Sequence, residues 1–167
     1  MVIGGSLGAA SVNENIRRIL PDLLKDFQVI HLCGKGKMDE SLNGTEGYVQ
    51  YEYIKQELAD MFALADVVIS RAGANAICEI NALKKPNLLI PLSANASRGD
   101  QILNARSFER QGFSMVLEEE EITEEKLLDS IRQLYNNRQT YIDAMSGSSH
   151  MNSIEKITEL IEECAAR

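Results

Sequence analysis

Short, unbroken apolar runs set between longer segments of helical period constrain this chain more than any other feature. Val67-Val68-Ile69 and Leu88-Leu89-Ile90 are apolar at every position. A strand with one wet face alternates apolar and polar residues, whereas a continuous run fits a parallel strand covered on both faces. Strands are expected at Val2–Gly4, Gln28–Leu32, Tyr48–Tyr51, Val67–Ser70, Asn87–Pro91 and Ser114–Leu117, with helices near 8–25, 55–64, 74–84, 101–111, 123–136 and 152–165. Asn13, Ile16, Ile19, Leu20 and Leu23 form a stripe on the first helix, and Thr123 with Glu124 and Glu125 opens the fifth as an N-cap followed by acids that suit the helix dipole. Strand–helix alternation of this kind predicts an α/β fold, a Rossmann-like doubly wound parallel sheet of about six strands with right-handed crossovers. Residues 1–167 are expected to form one domain. Only Val2-Ile3 precede the first glycines, so the expectation is an excised half of a larger protein.

Composition excludes several classes of function. A net charge of −8, from 25 acidic and 17 basic residues, leaves only Lys35–Lys37 and Lys84–Lys85 as compact basic pieces, so no nucleic-acid partner is expected. Cys33, Cys78 and Cys164 are odd in number and far apart, which fits reduced thiols in a cytoplasmic setting, with Cys33 and Cys78 expected in the core. His31 and His150 lack partners at ligand spacing, so no metal site is expected. No apolar run approaches the roughly 20 residues that span a bilayer, and the N-terminus carries no signal-peptide pattern.

In a doubly wound sheet, ligands bind outside the carboxyl ends of the strands. Three segments there carry candidate chemistry. Gly4-Gly5-Ser6-Leu7-Gly8-Ala9 joins the first strand to the first helix; its glycines let backbone approach a ligand, and free N–H groups at the helix start attract phosphate. A tight turn needing glycine for its own sake remains open. No G-x-G-x-x-G register fits, the second strand ends in Leu32-Cys33-Gly34 without a ribose-binding acid, and no Walker A motif is present. Ser70-Arg71-Ala72-Gly73-Ala74-Asn75 repeats the arrangement after the fourth strand. Glu79 follows Gly73 by six positions, about 9 Å of helix, where a carboxylate suits a ribose diol. A solvated surface glutamate accounts for it equally well. Ser97-Arg98-Gly99-Asp100-Gln101-Ile102-Leu103-Asn104 offers a mixed donor and acceptor set for sugar hydroxyls, or else an N-cap at Asp100. Convergence of these segments on one crevice favours a nucleotide-sugar site.

These residues resemble the C-terminal domain of the MurG-type N-acetylglucosaminyltransferases. The likeness rests on Gly4–Ala9, Ser70–Ala74, Glu79, Lys85-Pro86 through Ile90-Pro91, and Ser97–Gln101 with Asn104-Ala105, and it spans residues 2–120. The Ser-Arg-Gly-Asp-Gln form is similar to the Gram-positive, low-GC branch. The resemblance implies the donor-binding half of a two-domain GT-B enzyme of peptidoglycan synthesis. Such an enzyme transfers N-acetylglucosamine from UDP-N-acetylglucosamine to an undecaprenyl-diphosphate-linked muramyl acceptor, with inversion and with neither metal nor cofactor. It implies that Ser6 meets the diphosphate, with Gly5 and Arg71 also counted among the substrate-binding residues. The Ala74-Asn75 backbone would take the α-phosphate, Glu79 the ribose, Asp100-Gln101 the hexosamine, and the Tyr53-Ile54 pair the uracil. Many members have glutamine where this chain has Asp100. The acceptor pocket, the membrane-contacting surface and the candidate base belong by this resemblance to an N-terminal domain, which leaves no catalytic residue here. The full-length protein would lie in the cytoplasm, peripheral on the inner face of the cell membrane. Two alternatives share the fold: a free-standing binding subunit, and the corresponding domain of a diacylglycerol glycosyltransferase.

Overall fold

The computed structural model describes residues 1–5, 8–93, 99–148 and 162. Six strands form one parallel sheet: β1 (Val2–Ile3), β2 (Val29–Leu32), β3 (Tyr48–Tyr51), β4 (Val68–Ser70), β5 (Asn87–Leu89) and β6 (Ser114–Val116), in the spatial order β3-β2-β1-β4-β5-β6. Short β1 sits at the centre, with Val2 registered between His31 and Ile69, and Ile3 between Leu32 and Ser70. The helices are α1 (Ala10–Leu23), α2 (Leu58–Leu64), α3 (Ala74–Ala82), α4 (Asp100–Arg110), α5 (Glu124–Asn136) and α6 (Arg138–Ser146).

Two covered faces explain the unbroken apolar runs. Ile69, Leu88 and Ile90 pack with Val12, Ile16, Ile19 and Leu20 of α1 and with Leu127, Ile131 and Leu134 of α5. The intervening side chains point to the other face, where Val68 meets Phe62 of α2 and Ile80 of α3, and Leu89 meets Ile77 and the α4 residue Ala105. Side chains alternate across a strand, so each run buries every position because helices lie on both sides. The first-helix stripe is fully inside, including polar Asn13 at 1% exposure.

Several boundaries are tighter than the sequence predicts. Gly8 has φ 69° and Ala9 is extended, so α1 begins at Ala10 rather than residue 8. β5 ends at Leu89, although the Ile90 N–H still donates to the Ser70 carbonyl at 2.8 Å. Residues 55–57 stay outside α2. Thr123 caps α5 as expected, its hydroxyl accepting from the Lys126 N–H at 3.1 Å. The helix α6 was not among the expected elements, because its sequence carries little periodicity and buries only Met145. The candidate helix 152–165 lies outside the described residues save for helical Glu162, as do His150 and Cys164. Cys33 is buried, but Cys78 is exposed. The correction follows from helical geometry: α3 buries Ile77 and Ile80, and Cys78 is turned about 100° from Ile77.

Candidate functional site

The strand order places a topological switch between β1 and β4: the chain winds outward through β2 and β3 on one side and through β5 and β6 on the other. At such a point neighbouring connections diverge and leave a crevice at the carboxyl edge of the sheet. The β1–α1 and β4–α3 loops border that crevice, and each delivers the N-terminus of a helix to it. The unpaired N–H groups and the positive end of the dipole make each terminus an anion-binding feature.

The β1–α1 loop is held against β2 by its glycines. A Cβ on Gly8 would stand 2.0 Å from the Cys33 carbonyl oxygen, and one on Gly4 would stand 2.4 Å from the Ala9 nitrogen. Gly5, at φ 81°, faces open space. The loop therefore combines both sequence readings: Gly4 and Gly8 serve the turn, while Gly5 is exposed at the crevice. Ser6 lies outside the described residues. Lys37 Nζ donates to the Gly8 carbonyl at 2.9 Å. Behind the loop, Asn13 Nδ2 donates to the Cys33 carbonyl at 2.8 Å, and Asn13 Oδ1 lies 3.0 Å from His31 Nε2. An amide oxygen only accepts, so Nε2 carries the imidazole proton and Nδ1 accepts from the Tyr48 hydroxyl at 3.0 Å. Burial drops the His31 pKa to about 4, assisted by the Arg17 and N-terminal charges, so the ring is neutral near pH 7. Burial likewise raises the Cys33 thiol and pushes Tyr48 up to about 12. These groups are structural struts. Their signature in the sequence was a polar residue at a core position of a helix and of a strand.

The β4–α3 loop presents Ala74, Asn75, Cys78 and Glu79 as exposed positions on α3, with Asn75 and Glu79 on one face at i, i+4 spacing. Gly73 is the N-cap, and a Cβ there would meet nothing within 4 Å, so the approach to the α3 terminus is open. Arg71 is turned inward, at 9% exposure. Its Nη1 donates to the Ile90 and Pro91 carbonyls at 3.2 and 3.1 Å, and its Nη2 pairs with Glu119 at 2.6 Å. Asn104 Nδ2 of α4 donates to the Ala72 carbonyl at 3.2 Å. On the same side, Gln101 Oε1 accepts from the Leu92 N–H at 3.0 Å, and Asp100 is exposed in the first turn of α4. The N-cap of α4 is Gly99, left-handed at φ 83°, which corrects the alternative reading of Asp100 as the cap.

Tyr53 and Ile54 follow β3 at the same carboxyl edge, three strands from β4 and hence about 14 Å across the sheet. Tyr53 is 59% exposed, with Lys55 Nζ 5.5 Å from its ring centroid. Ile54 and Met61 help line a concavity of about 460 Å³ beside the ring. The structure thus gathers Gly5 of the β1–α1 loop, Ala74 and Asn75 at the start of α3, and Asp100 and Gln101 at the start of α4 at the carboxyl edge of the sheet. Glu79 lies one turn along α3, Tyr53-Ile54 stand at the flank, and the Arg71 guanidinium sits behind the loops. Sequence reasoning did not single out Glu119, which lies within an acidic run and gives no local signal. Among the described residues no group of three or more His, Cys, Asp or Glu could hold a metal ion, and no helix is long and apolar enough to cross a membrane.

Comparison with known proteins assigns this arrangement to a family. The chain is 64% identical over 98% of its length to the UDP-N-acetylglucosamine--N-acetylmuramyl-(pentapeptide) pyrophosphoryl-undecaprenol N-acetylglucosamine transferase of Lachnospira eligens. It is 61% identical over 98% of its length to the protein of the same name from Lachnoclostridium phytofermentans. It spans about half the length of these relatives, 46% in each case. The crystal structure of Acinetobacter baumannii MurG shares the fold, with a TM-score of 0.78 at 24% identity over 98% of this chain and 48% of that one. The model of the glycosyltransferase family 28 C-terminal domain matches residues 1–163, and the chain belongs to that family.

Proposed function

We propose that this chain is the donor-binding domain of an inverting N-acetylglucosaminyltransferase that uses UDP-N-acetylglucosamine and a lipid-diphosphate-linked muramyl acceptor. The observation that carries the proposal is the pair of helix N-termini, α1 and α3, flanking the topological switch point of a family 28 C-terminal domain. A diphosphate fits between two such termini. In this reading Gly5 and Ser6 face the diphosphate and the Ala74-Asn75 N–H groups take the α-phosphate. Glu79, one turn along the same helix, accepts from the ribose hydroxyls. Asp100 and Gln101 meet the hexosamine, with the Gln101 amide oxygen already committed to Leu92. The uracil rests against Tyr53 and Ile54, whose ring and side chain border the flanking concavity. Arg71 acts by holding the β4–α3 loop to the end of β5.

The chemical contribution of this domain is stabilisation of the departing UDP. Fixed N–H groups and helix dipoles face the charge that develops as the glycosidic bond breaks, and they need no reorganisation at that moment. The acceptor, the catalytic base and the contact with the cytoplasmic face of the membrane belong to an N-terminal domain that makes up the remaining length of the relatives. Calorimetric titration of this chain with UDP-N-acetylglucosamine, UDP-glucose and UDP-galactose tests the reading. Preferential binding of the N-acetylglucosamine donor is expected. No binding of any of the three defeats the proposal, and a preference for UDP-glucose moves the chain to the diacylglycerol glycosyltransferases.

A further inference from the structure

We propose that Glu119 is a positioning residue that sets the relative placement of the crevice loops; the inference rests on the donor-binding reading above. The residue lies in a 3-10 turn (Glu119–Glu121) just after β6, within a run of four glutamates. Its side chain is only 17% exposed, against 59% for Glu121 in the same run. Its two oxygens meet two segments from distant parts of the chain. Oε1 pairs with Arg71 Nη2 at 2.6 Å, just before α3, and Oε2 accepts from the Ser93 N–H at 3.2 Å, beyond β5. The Ser11 hydroxyl, in the first turn of α1, stands near enough to help hold the pKa of this carboxylate down. The segment that leads into the α3 terminus and the β5 connection are therefore tied to one carboxylate, with the first turn of α1 beside it.

Donors from two directions require acceptors at both oxygens, which a carboxylate alone among the side chains supplies without presenting a donor of its own. The ion pair is largely screened from water and is completed by hydrogen bonds on both partners, since Arg71 also donates to Ile90 and Pro91. Such a network holds its geometry only while every member is satisfied. Burial would raise the Glu119 pKa, but the Arg71 hydrogen bond, the nearby Ser11 hydroxyl, the Arg71 charge and the Ser93 N–H outweigh it and keep the group below its ordinary value and ionised near pH 7.

Glu119→Gln is the discriminating variant, because it replaces one acceptor oxygen with an NH2 group that confronts a donor; Glu119→Ala removes both contacts. UDP titration is combined with residue-resolved amide hydrogen exchange on the 167-residue chain. The UDP Kd of Glu119→Gln is expected to rise at least about tenfold, in keeping with the loss of charged hydrogen bonds. Exchange is expected to accelerate together at residues 71–75 and 92–93, while the amides of Val68–Ser70 in the central sheet stay protected. An unchanged UDP Kd, or exchange that changes only next to residue 119, overturns the inference. Parallel acceleration in the central strand also overturns it, since that marks a general structural role. If the parent chain binds no UDP, the donor reading fails and the positioning role falls with it. A parent that binds UDP beside a variant that binds equally well defeats the positioning role alone.

Discussion

His31 and Glu79 show how differently the two kinds of polar residue in this chain behave. His31 is inside, at 0% exposure, between the Asn13 amide and the Tyr48 hydroxyl, and it is neutral in the folded state. The unfolded chain takes up a proton near pH 6.5 but the folded chain does so only near pH 4, so the unfolded state binds more protons between those values. Stability is therefore undiminished by this group above about pH 6.5 and declines as pH falls towards 4, by about 3 kcal/mol in total. Urea midpoints measured across that range are expected to fall, and His31→Gln is expected to flatten the slope; a slope equal to that of the parent would show that other groups govern it. Glu79 is exposed on α3, and its removal touches no buried contact. Glu79→Ala is expected to leave the thermal midpoint within about 2 °C and to weaken UDP, UMP and UDP-N-acetylglucosamine alike by roughly tenfold to a hundredfold, the value of one or two hydrogen bonds to a charged group. Equal affinities by calorimetry would take Glu79 off the ribose.

At the scale of elements, the decisive contact is that of the β1–α1 loop with the end of β2. Gly8 combines a left-handed φ of 69° with a backbone approach that leaves no space for a Cβ. Gly8→Ala is expected to destabilise the fold by at least about 2 kcal/mol, the sum of αL strain and displacement of the loop from the Cys33 carbonyl. Because the same loop leads into the α1 terminus, donor affinity measured well below the unfolding midpoint is expected to fall too. A Gly8→Ala protein of parental stability would mean that the close approach is relieved at no cost. The elements themselves were largely legible in the sequence. Continuous apolar runs located β4 and β5, shorter β-rich runs the other strands, and the Ile16, Ile19, Leu20, Leu23 stripe located α1, because burial writes itself into residue type. The helix α6 was not legible, since it buries a single residue of its own and leans on neighbours for the rest. The ends of the expected strands overran by one or two residues, because apolar residues such as Ile90 remain buried after ladder pairing has stopped.

For the whole molecule, the chain spans 46% of the length of its relatives, and the proposed donor-binding function sets its expected behaviour. The 167-residue chain is expected to bind donor and to transfer no sugar to a lipid-linked acceptor. Turnover in a radiolabelled transfer assay would place an acceptor site and a base within these residues.

The sequence by itself determined the layered architecture, the three crevice segments and their chemical type. Each of those depends on residues near one another in the chain: apolar runs, glycines before a helix, an acid at a fixed offset. Only the tertiary structure decided which polar groups face the crevice and which brace it from behind. Arg71 reads as a ligand-binding side chain in sequence, yet it is turned inward to the Ile90 and Pro91 carbonyls and to Glu119. Glu119, which the sequence did not single out, gathers contacts from Arg71 and Ser93. The physical reason is the same for both. Desolvation and hydrogen-bond completion depend on atoms 19 to 48 positions away in the chain, brought together only when the parallel sheet aligns the carboxyl ends of its strands.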